Sequence, residues 1–504
     1  MSSGFIVFAL VCSQAFLPID RAADQDGAFT MPRLVPNPAD ARYELDKALE
    51  IGDGLKVAVT CPDAKAAGWI ADHAKAWWKA SVRVSAADGP MPAQEEGYEL
   101  RTGADGVTIA APALCGVRYA MYTLRQMTEP KRGTPTLAGW ECPYAAIRDA
   151  PKMGFRGIHF VCGRETPLEF LEHGIRQAAY YKMNHVVLEN WGEFRSKRHP
   201  WYGWSDGKLT YGEIRRLRDI ADDVGVVLIP AINVFGHAAL ASERNGKHAA
   251  IDLAPEYQPL FEPEGGWNWC LSNPTARQTV ADIVLELHDA FGRPPYFHIG
   301  CDEARKATCR RCASHEGGYD RLVVEHIASL AVLLRERGAT TMMWHDKLVA
   351  EGDPRWKGFV ANGSADADAL LRSLPRDILI CDWYYGKTFE WGGESNPGSY
   401  PTLEYFRSLG FRTLTCPWED DVGARAQIKW SIAHGVFGAL ATTWNRCAAL
   451  FLYREFQAAD AMWGSPHPQG RFTFMQYWRQ TGWDMPTKTY RACGFCSDPR
   501  HFEY

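Results

Sequence analysis

The stretch Phe155-Arg156-Gly157-Ile158-His159-Phe160-Val161-Cys162 is a short run rich in apolar residues. Continuous apolar runs of this length are typical of parallel strands that are buried on both faces. From Phe155 onward, such runs alternate with amphipathic helical segments for almost three hundred residues. The runs are, in order, Arg156–Cys162, Asn184–Trp191, Val226–Val234, Tyr296–Gly300, Thr340–His345, Ile378–Trp383, Arg412–Pro417 and Gly438–Trp444.

This alternation predicts an α/β fold in which eight β-then-α units close into a (β/α)8 TIM barrel over residues 150–465. Segments with helical periodicity separate the runs, for example Thr210–Val224, Thr275–Phe291 and Asp320–Arg337. No Gly-rich phosphate loop follows any run, which disfavours a nucleotide-binding doubly wound sheet. Because barrel enzymes do their chemistry at the carboxyl ends of the strands, we look for functional residues there.

A smaller domain is predicted ahead of the barrel, over residues 28–130. Ala64–Ser81 carries aromatic and apolar side chains at helical spacing, and Gly97–Leu100 and Gly106–Ala110 have strand-like patterns. This mixture indicates a small α+β domain. A link punctuated by Pro and Gly, Glu129–Pro151, is expected to join it to the barrel, and residues 466–504 are expected to pack on the barrel as a C-terminal extension.

The first 27 residues contain an apolar stretch, Phe5–Cys12, followed by the charged residues Asp20 and Arg21. The stretch is too short for a membrane span but fits the core of a signal peptide. We therefore predict a secreted or periplasmic protein without a membrane span. No basic residue precedes the apolar core, so the alternative is an N-terminal extension that arises from a misplaced start codon or forms a buried first strand.

The formal net charge of −5 and a pI near 6.3 provide no basic field for nucleic acid or anionic lipid. Neither is expected as a partner. The chain has 19 Trp and 20 Tyr residues, whose flat faces suit the apolar faces of sugar rings. Packing in a large core explains most of these aromatic residues, so composition favours a carbohydrate ligand only weakly.

Two cysteine pairs, Cys309/Cys312 and Cys493/Cys496, have the Cys-x-x-Cys spacing that can hold zinc or form a disulfide. A joint four-cysteine site is one interpretation. Because the pairs lie far apart in the sequence, local disulfides or inert thiols are the favoured one.

The carboxyl ends of the eight runs offer carboxylates, histidine, arginine and aromatic residues. They are, in order, Arg156 and Arg164; Glu189, Asn190 and Trp191; His237; Asp302 and Glu303; Trp344 and Asp346; Asp382, Trp383, Tyr384 and Tyr385; Trp418 and Glu419; Trp444 and Asn445. No two ends supply the His-x-His and further ligands of a metal-dependent barrel hydrolase. We therefore expect catalysis without a metal or another cofactor.

Asp302 and Glu303 are adjacent acids at the end of the fourth run. Neighbours on an extended strand point to opposite faces, but the chain turns at a strand end, so both acids can reach one ligand. Hydrolysis of a glycosidic bond needs a proton for the leaving oxygen and stabilisation of positive charge on the sugar, both of which carboxyl groups supply. The alternative is that the pair merely caps the following helix.

The stretch His298-Ile299-Gly300-Cys301-Asp302-Glu303 resembles the His-x-Gly-x-Asp-Glu signature of the family 20 glycoside hydrolases, the β-N-acetylhexosaminidases. Other parts agree. Residues 97–126 resemble the zincin-like domain that precedes the barrel in that family, Ile147–Gly157 resembles the approach to its first strand, and Lys182-Met183-Asn184 resembles the approach to its second. The resemblance spans roughly residues 30–460.

The resemblance implies exo-acting removal of terminal β-linked GlcNAc or GalNAc from glycans by a retaining mechanism in which the acetamido oxygen of the substrate attacks. Glu303 would protonate the glycosidic oxygen and later activate water. Asp302 would hold the acetamido N–H and stabilise the oxazolinium-like cation. Tyr384 or Tyr385, with Tyr385 preferred, would bind the acetamido oxygen.

The remaining site residues also follow from the resemblance. Arg156 would bind the hydroxyls at C3 and C4, and His237 would form a polar pair with Glu189 beside Glu303. Without the resemblance, Arg156 is as readily interpreted as the partner of a buried carboxylate. Five further residues would line the sugar-binding pocket or contact the substrate. They are Trp344, Trp383, Trp418, Trp444 and Asn445.

Two residues depart from the family pattern. Cys301 occupies a position where a small Gly or Ala is common, and Asn445 follows Trp444 where many members have a Glu that binds the outer hydroxyls. The loop Gly236–Asn273, with Trp267, is long enough to shape a leaving-group site or to contact a second chain in a homodimer.

Two alternative functions are a glycosidase for a sugar without an acetamido group and a catalytically silent carbohydrate-binding relative. The first would use a third carboxylate as nucleophile, Glu189 or Glu419. The second is disfavoured because both acids of the signature are present.

Overall fold

The computed structural model of the chain describes residues 29–131, 139–163, 166–238, 254–263, 266–304, 306–386, 394–418, 420–444 and 458–465. The predicted signal peptide, residues 1–27, and the predicted C-terminal extension, residues 466–504, lie outside the described residues. Two units follow one another in the described chain, an open sheet with two helices and a closed parallel barrel.

The first unit is a mixed sheet in the order β1-β7-β4-β5-β2-β3, with β6 paired to β7. Both predicted strands and the predicted helix of this α+β domain are present. The strands are β1 (Asp40–Ile51), β2 (Lys56–Thr60), β3 (Arg83–Ala86), β4 (Tyr98–Gly103), β5 (Gly106–Ala110), β6 (Glu129–Pro130) and β7 (Trp140–Asp149), and the helices are α1 (Ala66–Trp78) and α2 (Leu114–Met127).

The small domain extends beyond its predicted boundary at residue 130. Strand β7 occupies much of the predicted link and pairs with both β1 and β4, so it is an interior strand of the sheet. Pro143 lowers the strand signal of this segment, because proline cannot donate to a ladder. The structure accommodates it opposite Ala48, where the register of β1 shifts between Glu44 and Ala48.

The second unit is the predicted barrel, closed in the order β10-β11-β12-β13-β14-β15-β8-β9 with every pairing parallel. Each of the eight predicted runs overlaps one strand, and in the first run the strand begins one residue earlier, at Phe155. The strands are β8 (Phe155–Cys162), β9 (His185–Asn190), β10 (Val227–Ala231), β11 (Tyr296–His298), β12 (Thr340–Trp344), β13 (Leu379–Trp383), β14 (Arg412–Cys416) and β15 (Gly438–Ala441).

Helices follow the strands on the outside of the barrel. They are α3 (Leu168–Tyr180), α4 (Tyr211–Val224), α5 (Pro274–Ala290), α6 (Arg310–Ala313), α7 (Tyr319–Arg335), α8 (Ala367–Ser373), α9 (Pro401–Ser408) and α10 (Asp421–Ala433), with 3-10 turns at Pro255–Leu260, Asp346–Leu348 and Pro354–Trp356. No helix in the described part of the chain is both long and apolar enough to cross a membrane.

The barrel interior is filled by alternate residues of its strands. All eight residues of β8 and all five of β13 are buried. Along β13, Leu379, Cys381 and Trp383 join one apolar cluster, and Tyr385 continues the alternation past the strand end. Because side chains on one face of a strand recur every second residue, these four stack along the barrel axis. The interior of the barrel along β13 is therefore filled by side chains up to the carboxyl end of the strand.

Arg156 lies at the opposite end from the mouth, as the second residue of β8, and the expectation that it binds sugar hydroxyls is wrong. Its guanidinium is 1% exposed and donates to both carboxylate oxygens of Glu96, at 2.9 and 2.6 Å. It also donates to the hydroxyl of Tyr119 at 2.9 Å and to the carbonyl of Lys182 at 3.0 Å. Arg156 thus ties the amino end of the barrel to the small domain.

The electrostatics of Glu96 agree with this role. Burial raises the pKa of its carboxyl, but the hydrogen bonds and charge of Arg156, together with hydrogen bonds from Tyr119 and Asn184, outweigh burial and hold the pKa below its ordinary value. Glu96 therefore stabilises the folded chain at pH values above the pKa of an unfolded glutamate, about 4.3. The contribution is lost as the pH falls through the lower pKa of the folded state.

Replacing Arg156 by Met is expected to lower the free energy of unfolding by about 3 kcal/mol at neutral pH, the low end of the range for a buried pair, because the carboxylate of Glu96, 24% exposed, loses its buried partner. The loss should shrink below about pH 4, where Glu96 becomes neutral. Urea denaturation measures both values. Arg148→Met is the control, since Arg148 pairs with Glu99 at 2.6 Å but is 68% exposed, and a change of no more than about 1 kcal/mol is expected. Equal losses in the two variants would contradict this assignment.

Candidate active site

The two acids of the sequence signature meet at the mouth of the barrel, directly after β11. The chain turns there through left-handed backbone positions, with φ of 68° at Gly300, 77° at Cys301 and 46° at Glu303. Such positions are strained for residues other than glycine and concentrate at functional sites. The next helix, α6, begins only at Arg310, so Asp302 and Glu303 do not cap it.

His237, predicted as a catalytic residue, lies between the two acids. Its Nε2 is 3.4 Å from an oxygen of Asp302 and 3.1 Å from an oxygen of Glu303. Both carboxylates therefore reach one nitrogen of the chain, and their reach to a single ligand stays a prediction. The side chains differ in exposure, at 9% for Asp302 and 40% for Glu303. Glu303 is the acid that solvent and a ligand can approach.

Asp346 holds this turn in place. Its buried carboxylate accepts hydrogen bonds from the backbone N–H of Glu303 at 2.8 Å, from Asn362 Nδ2 at 2.9 Å and from Trp383 Nε1 at 3.2 Å. Burial, and next the charge of Asp302, raise the pKa of Asp346. Asp346 was noted at the end of the fifth run but received no role from the sequence, because its partners lie on three separate segments.

Trp267 is a second residue whose role the sequence left open. Its Nε1 donates to the carbonyl of Glu303 at 2.8 Å, and its ring centroid lies 4.2 Å from that of His237. The long loop after β10 therefore returns to the two acids and contacts the backbone of Glu303 and the ring of His237. The rest of that loop between 239 and 253 lies outside the described residues.

The sequence pairs Glu189 with His237, whereas the structure places His237 against Asp302 and Glu303. Within the described residues, the partner of Glu189 is His159, whose Nε2 lies 2.8 Å away on the neighbouring strand β8. Trp191 Nε1 and Asn233 Nδ2 also donate to Glu189, at 2.9 and 3.1 Å. Glu189 is 2% exposed, so its carboxylate is a buried acceptor below the pocket.

Asn233 links this buried network to the acids. Besides donating to Glu189, its Oδ1 accepts the backbone N–H of Cys301 at 3.1 Å. Cys301, the departure from the family pattern, is fully buried, and burial raises the pKa of its thiol well above the ordinary value. The thiol therefore lies beneath the turn as a neutral packing group.

Tyr385, rather than Tyr384, faces the pocket. Its ring packs between Trp383 and Trp418, with centroids 4.9 and 5.2 Å away, and its hydroxyl accepts from Trp444 Nε1. Burial raises the pKa of Tyr385 well above the ordinary value, and the nearby charge of Asp302 adds to the shift. The hydroxyl is thus held protonated, as a hydrogen-bond donor near Asp302.

Tyr384 points out of the barrel, so its assignment to substrate binding is wrong. Its hydroxyl donates to the carbonyl of Glu394 at 2.8 Å, and its ring stacks on Phe359 at 4.7 Å. Consecutive residues leaving a strand face opposite ways, and Tyr385 takes the inward direction.

Four tryptophans from four strand ends complete the pocket. Trp344 is fully buried and lies 5.3 Å from Trp444, which is partly exposed. Trp383 and Trp418 are buried and pack against the ring of Tyr385. Two predicted substrate-binding or nucleophilic candidates, Asn445 and Glu419, lie outside the described residues, as does Arg164.

Sequence comparison assigns both units to one family. The family model for "Glycosyl hydrolase family 20, domain 2" matches residues 31–150, and that for "Glycosyl hydrolase family 20, catalytic domain" matches residues 154–362. This chain belongs to glycoside hydrolase family 20. The resemblance of the sequence signature is thereby confirmed. The strands that carry Tyr385, Trp418 and Trp444 lie past the matched part, and the barrel closure adds them to the site.

Curated relatives of this family 20 chain include a β-hexosaminidase of Porphyromonas gingivalis, 25% identical over 317 residues, and one of Vibrio furnissii, 26% identical over 335 residues. The matches cover 56% and 57% of this chain but only 40% and 52% of the relatives. The chain thus spans about half the length of these relatives. A solved exo-β-N-acetylglucosaminidase of Vibrio harveyi aligns with a TM-score of 0.65 at 17% identity, covering 90% of this chain and 77% of that one, which shows the shared fold.

Gly236 tests how closely the site is packed. A Cβ at this position would lie 2.7 Å from the carbonyl oxygen of Asp302 and 2.9 Å from the Cα of Ala304. Since both are backbone atoms, Gly236→Ala must displace the turn, and we expect a loss of about 1–3 kcal/mol in the free energy of unfolding.

Gly68→Ala is the matched control, because a Cβ there meets nothing within 4 Å and Gly68 lies inside α1. It should stabilise the chain by up to about 1 kcal/mol. Urea denaturation of both variants gives the comparison, and a Gly236→Ala protein as stable as the parent would refute the close packing.

Proposed function

We propose that this chain is an exo-acting glycoside hydrolase that removes terminal β-linked N-acetylhexosamine, GlcNAc or GalNAc, from glycans with retention of configuration. The observation that carries the proposal is the arrangement of Asp302, Glu303 and Tyr385 around one aromatic pocket above a filled barrel. The names of the curated β-hexosaminidases support it. In this mechanism the acetamido oxygen of the substrate takes the place of an enzyme nucleophile.

Glu303 is placed for proton transfer. It is the more exposed of the two acids, and its backbone is fixed on both sides, through its N–H to Asp346 and through its carbonyl to Trp267. In the first step it would give its proton to the glycosidic oxygen as the bond to C1 breaks. In the second step it would take a proton from the water that attacks C1.

Asp302 and Tyr385 fit the two ends of an acetamido group. The carboxylate of Asp302 would accept the N–H and balance the positive charge that develops on the ring formed by the acetamido oxygen and C1. The protonated hydroxyl of Tyr385 would donate to the acetamido oxygen and hold it in line with C1. The methyl group would then lie among Trp344, Trp383 and Trp444.

A glycosidase for a sugar without an acetamido group would need another carboxylate as its nucleophile. Glu189, the described candidate, is buried and accepts from His159, Trp191 and Asn233. A carboxylate engaged in this way is a structural acceptor and a poor nucleophile. The geometry therefore favours assistance by the substrate's own acetamido group.

The direct test is release of nitrophenol from the 4-nitrophenyl β-glycosides of GlcNAc, GalNAc, galactose and glucose. The proposal predicts turnover of the two N-acetyl sugars only. Glu303→Gln should lower kcat/KM by about a hundredfold or more, because general acid–base catalysis contributes about 10²–10⁴. Turnover of the galactoside or glucoside would contradict the mechanism, and sugar binding without any turnover would indicate the silent binding protein.

The two adjacent tyrosines provide a matched pair of variants. Tyr385→Phe should reduce kcat for the GlcNAc substrate by about 10²–10³. It removes the hydrogen bond to the acetamido oxygen, and loss of one such donor to an oxygen that gains charge in the transition state has an effect of this size. Tyr384→Phe removes only a hydrogen bond to Glu394 and should leave kcat within about twofold, with a stability loss near 1 kcal/mol. Steady-state kinetics on both proteins decide the assignment, which fails if Tyr384→Phe has the larger effect on kcat.

Two expectations on location and assembly stay predictions. The apolar stretch Phe5–Cys12 supports export, which N-terminal sequencing of the mature protein would test. A homodimer through the long loop after β10 would be tested by light scattering of the purified chain.

A further inference from the structure

Four potential metal ligands converge beside the active-site turn. Glu262, Cys270, Cys309 and Cys312 place one ligand atom each so that all four atoms lie within 4.8 Å of one another. Three of the side chains are buried and that of Cys309 is partly buried. Glu262 and Cys270 belong to the long loop after β10, whereas Cys309 and Cys312 follow β11.

The spacing of the sulfur atoms differs from that of a disulfide. Cys270 Sγ lies 3.8 Å from Cys309 Sγ and 3.7 Å from Cys312 Sγ, and all three are free cysteines. A disulfide has an S–S distance of about 2.05 Å. Sulfurs at about 2.3 Å from a tetrahedral zinc ion are about 3.8 Å apart, which is the spacing observed here.

The surroundings supply donors to the sulfurs. The backbone N–H of Cys312 donates to Cys309 Sγ at 3.3 Å, and that of Ser272 donates to Cys312 Sγ at 3.4 Å. The guanidinium of Arg311 lies 3.9 Å from Cys270 Sγ. Hydrogen bonds and positive charge of this kind stabilise thiolates and orient them toward a metal.

Glu262 is the independent sign of a ligand. It is 3% exposed, and its Oε2 accepts from the backbone N–H of Cys309 at 2.6 Å and of Thr308 at 2.9 Å. Its Oε1 is buried without a nitrogen or oxygen hydrogen-bond partner among the described residues, and the carboxylate faces the thiols of Cys309 and Cys312. A buried carboxylate oxygen without a partner is costly, and a cation among the three sulfurs would satisfy it.

We propose that these four side chains bind one Zn²⁺ ion in a structural site. Three thiolates and a carboxylate favour a borderline-soft ion over Ca²⁺ or Mg²⁺. Four protein ligands leave no position for substrate or water, as in structural rather than catalytic zinc sites. The sequence singled out Cys309/Cys312 but paired them with each other or with Cys493/Cys496, which lie outside the described residues. Their partners are Cys270 and Glu262.

The zinc ion would fasten the loop that carries Trp267 to the segment that follows Asp302 and Glu303. Since Trp267 donates to the carbonyl of Glu303, loss of the metal should make the position of the Glu303 backbone less fixed. This consequence for activity rests on the proposed function. The presence of zinc does not, because it is measured on the protein itself.

The test is metal analysis of the full chain, produced with zinc in the medium and purified without chelators. About one zinc per chain is expected, and Cys309→Ser/Cys312→Ser should lose it. The matched control Cys61→Ser/Cys115→Ser changes two partly buried cysteines of the small domain and should keep it. Cobalt added to the reduced, metal-free parent should give the thiolate charge-transfer and ligand-field bands of a tetrahedral site.

Competition with a chromophoric chelator on the parent and on Glu262→Gln completes the test without depending on the double cysteine variant. The glutamine variant should bind zinc at least about tenfold more weakly. The proposal is overturned if the reduced parent binds no zinc, if the double variant keeps the metal, or if peptide mapping shows a disulfide among Cys270, Cys309 and Cys312. Zinc binding with no activity on any glycoside would contradict the proposed function but leave the zinc site supported.

Discussion

The hydrogen bond from the backbone N–H of Glu303 to the buried carboxylate of Asp346 is the contact on which the site depends. The turn at 300–303 contains three left-handed residues, two of which are not glycine, and such a conformation persists only where its surroundings fix it. Asp346 fixes it from the 3-10 turn after β12, and Trp267 fixes it from the loop after β10. The same carboxylate orients Trp383, so the acids and the aromatic wall share one support.

The proposed active site and the buried ion pairs with the small domain lie at opposite ends of the barrel. At the mouth, strand ends present Asp302, Glu303, Tyr385 and tryptophans around a pocket. At the amino end, Arg156 and Lys182 are buried against the small domain, where Lys182 donates to the hydroxyl of Tyr98 at 2.8 Å. This division is general for such barrels, because the loops that follow the strands carry the active site and the loops that precede them stabilise the fold. Both charged side chains at the amino end are therefore structural.

The barrel and most of its site could be predicted because their signals are local. Each strand is buried on both faces, so its apolar run is visible in the sequence, and Tyr385, Trp383 and Trp344 lie at the ends of these runs. Arg156 was misplaced because the resemblance gave it a sugar-binding role, although it is the first residue of its run and so lies at the amino end of the strand. Strand β7 was missed because Pro143 interrupts its pattern. Which of Tyr384 and Tyr385 faces the barrel interior could not be decided from the sequence, because it depends on which residues of β13 point inward.

Other features required contacts between distant segments. Glu189 pairs with His159 on the neighbouring strand, and Cys270 and Glu262 reach Cys309 and Cys312 only because two loops fold together. No spacing rule connects such residues. The sequence therefore identifies the proposed catalytic acids better than the residues that hold them in place.

The most direct measurement of the central claim is the affinity for a thiazoline analogue of the cyclic intermediate derived from GlcNAc, compared with GlcNAc itself. If the acetamido group attacks C1 while Asp302 and Tyr385 hold it, the analogue should bind at least about a hundredfold more tightly than GlcNAc, as transition-state mimics do. Asp302→Asn should abolish most of that difference. Equal affinity for the two ligands would contradict the account.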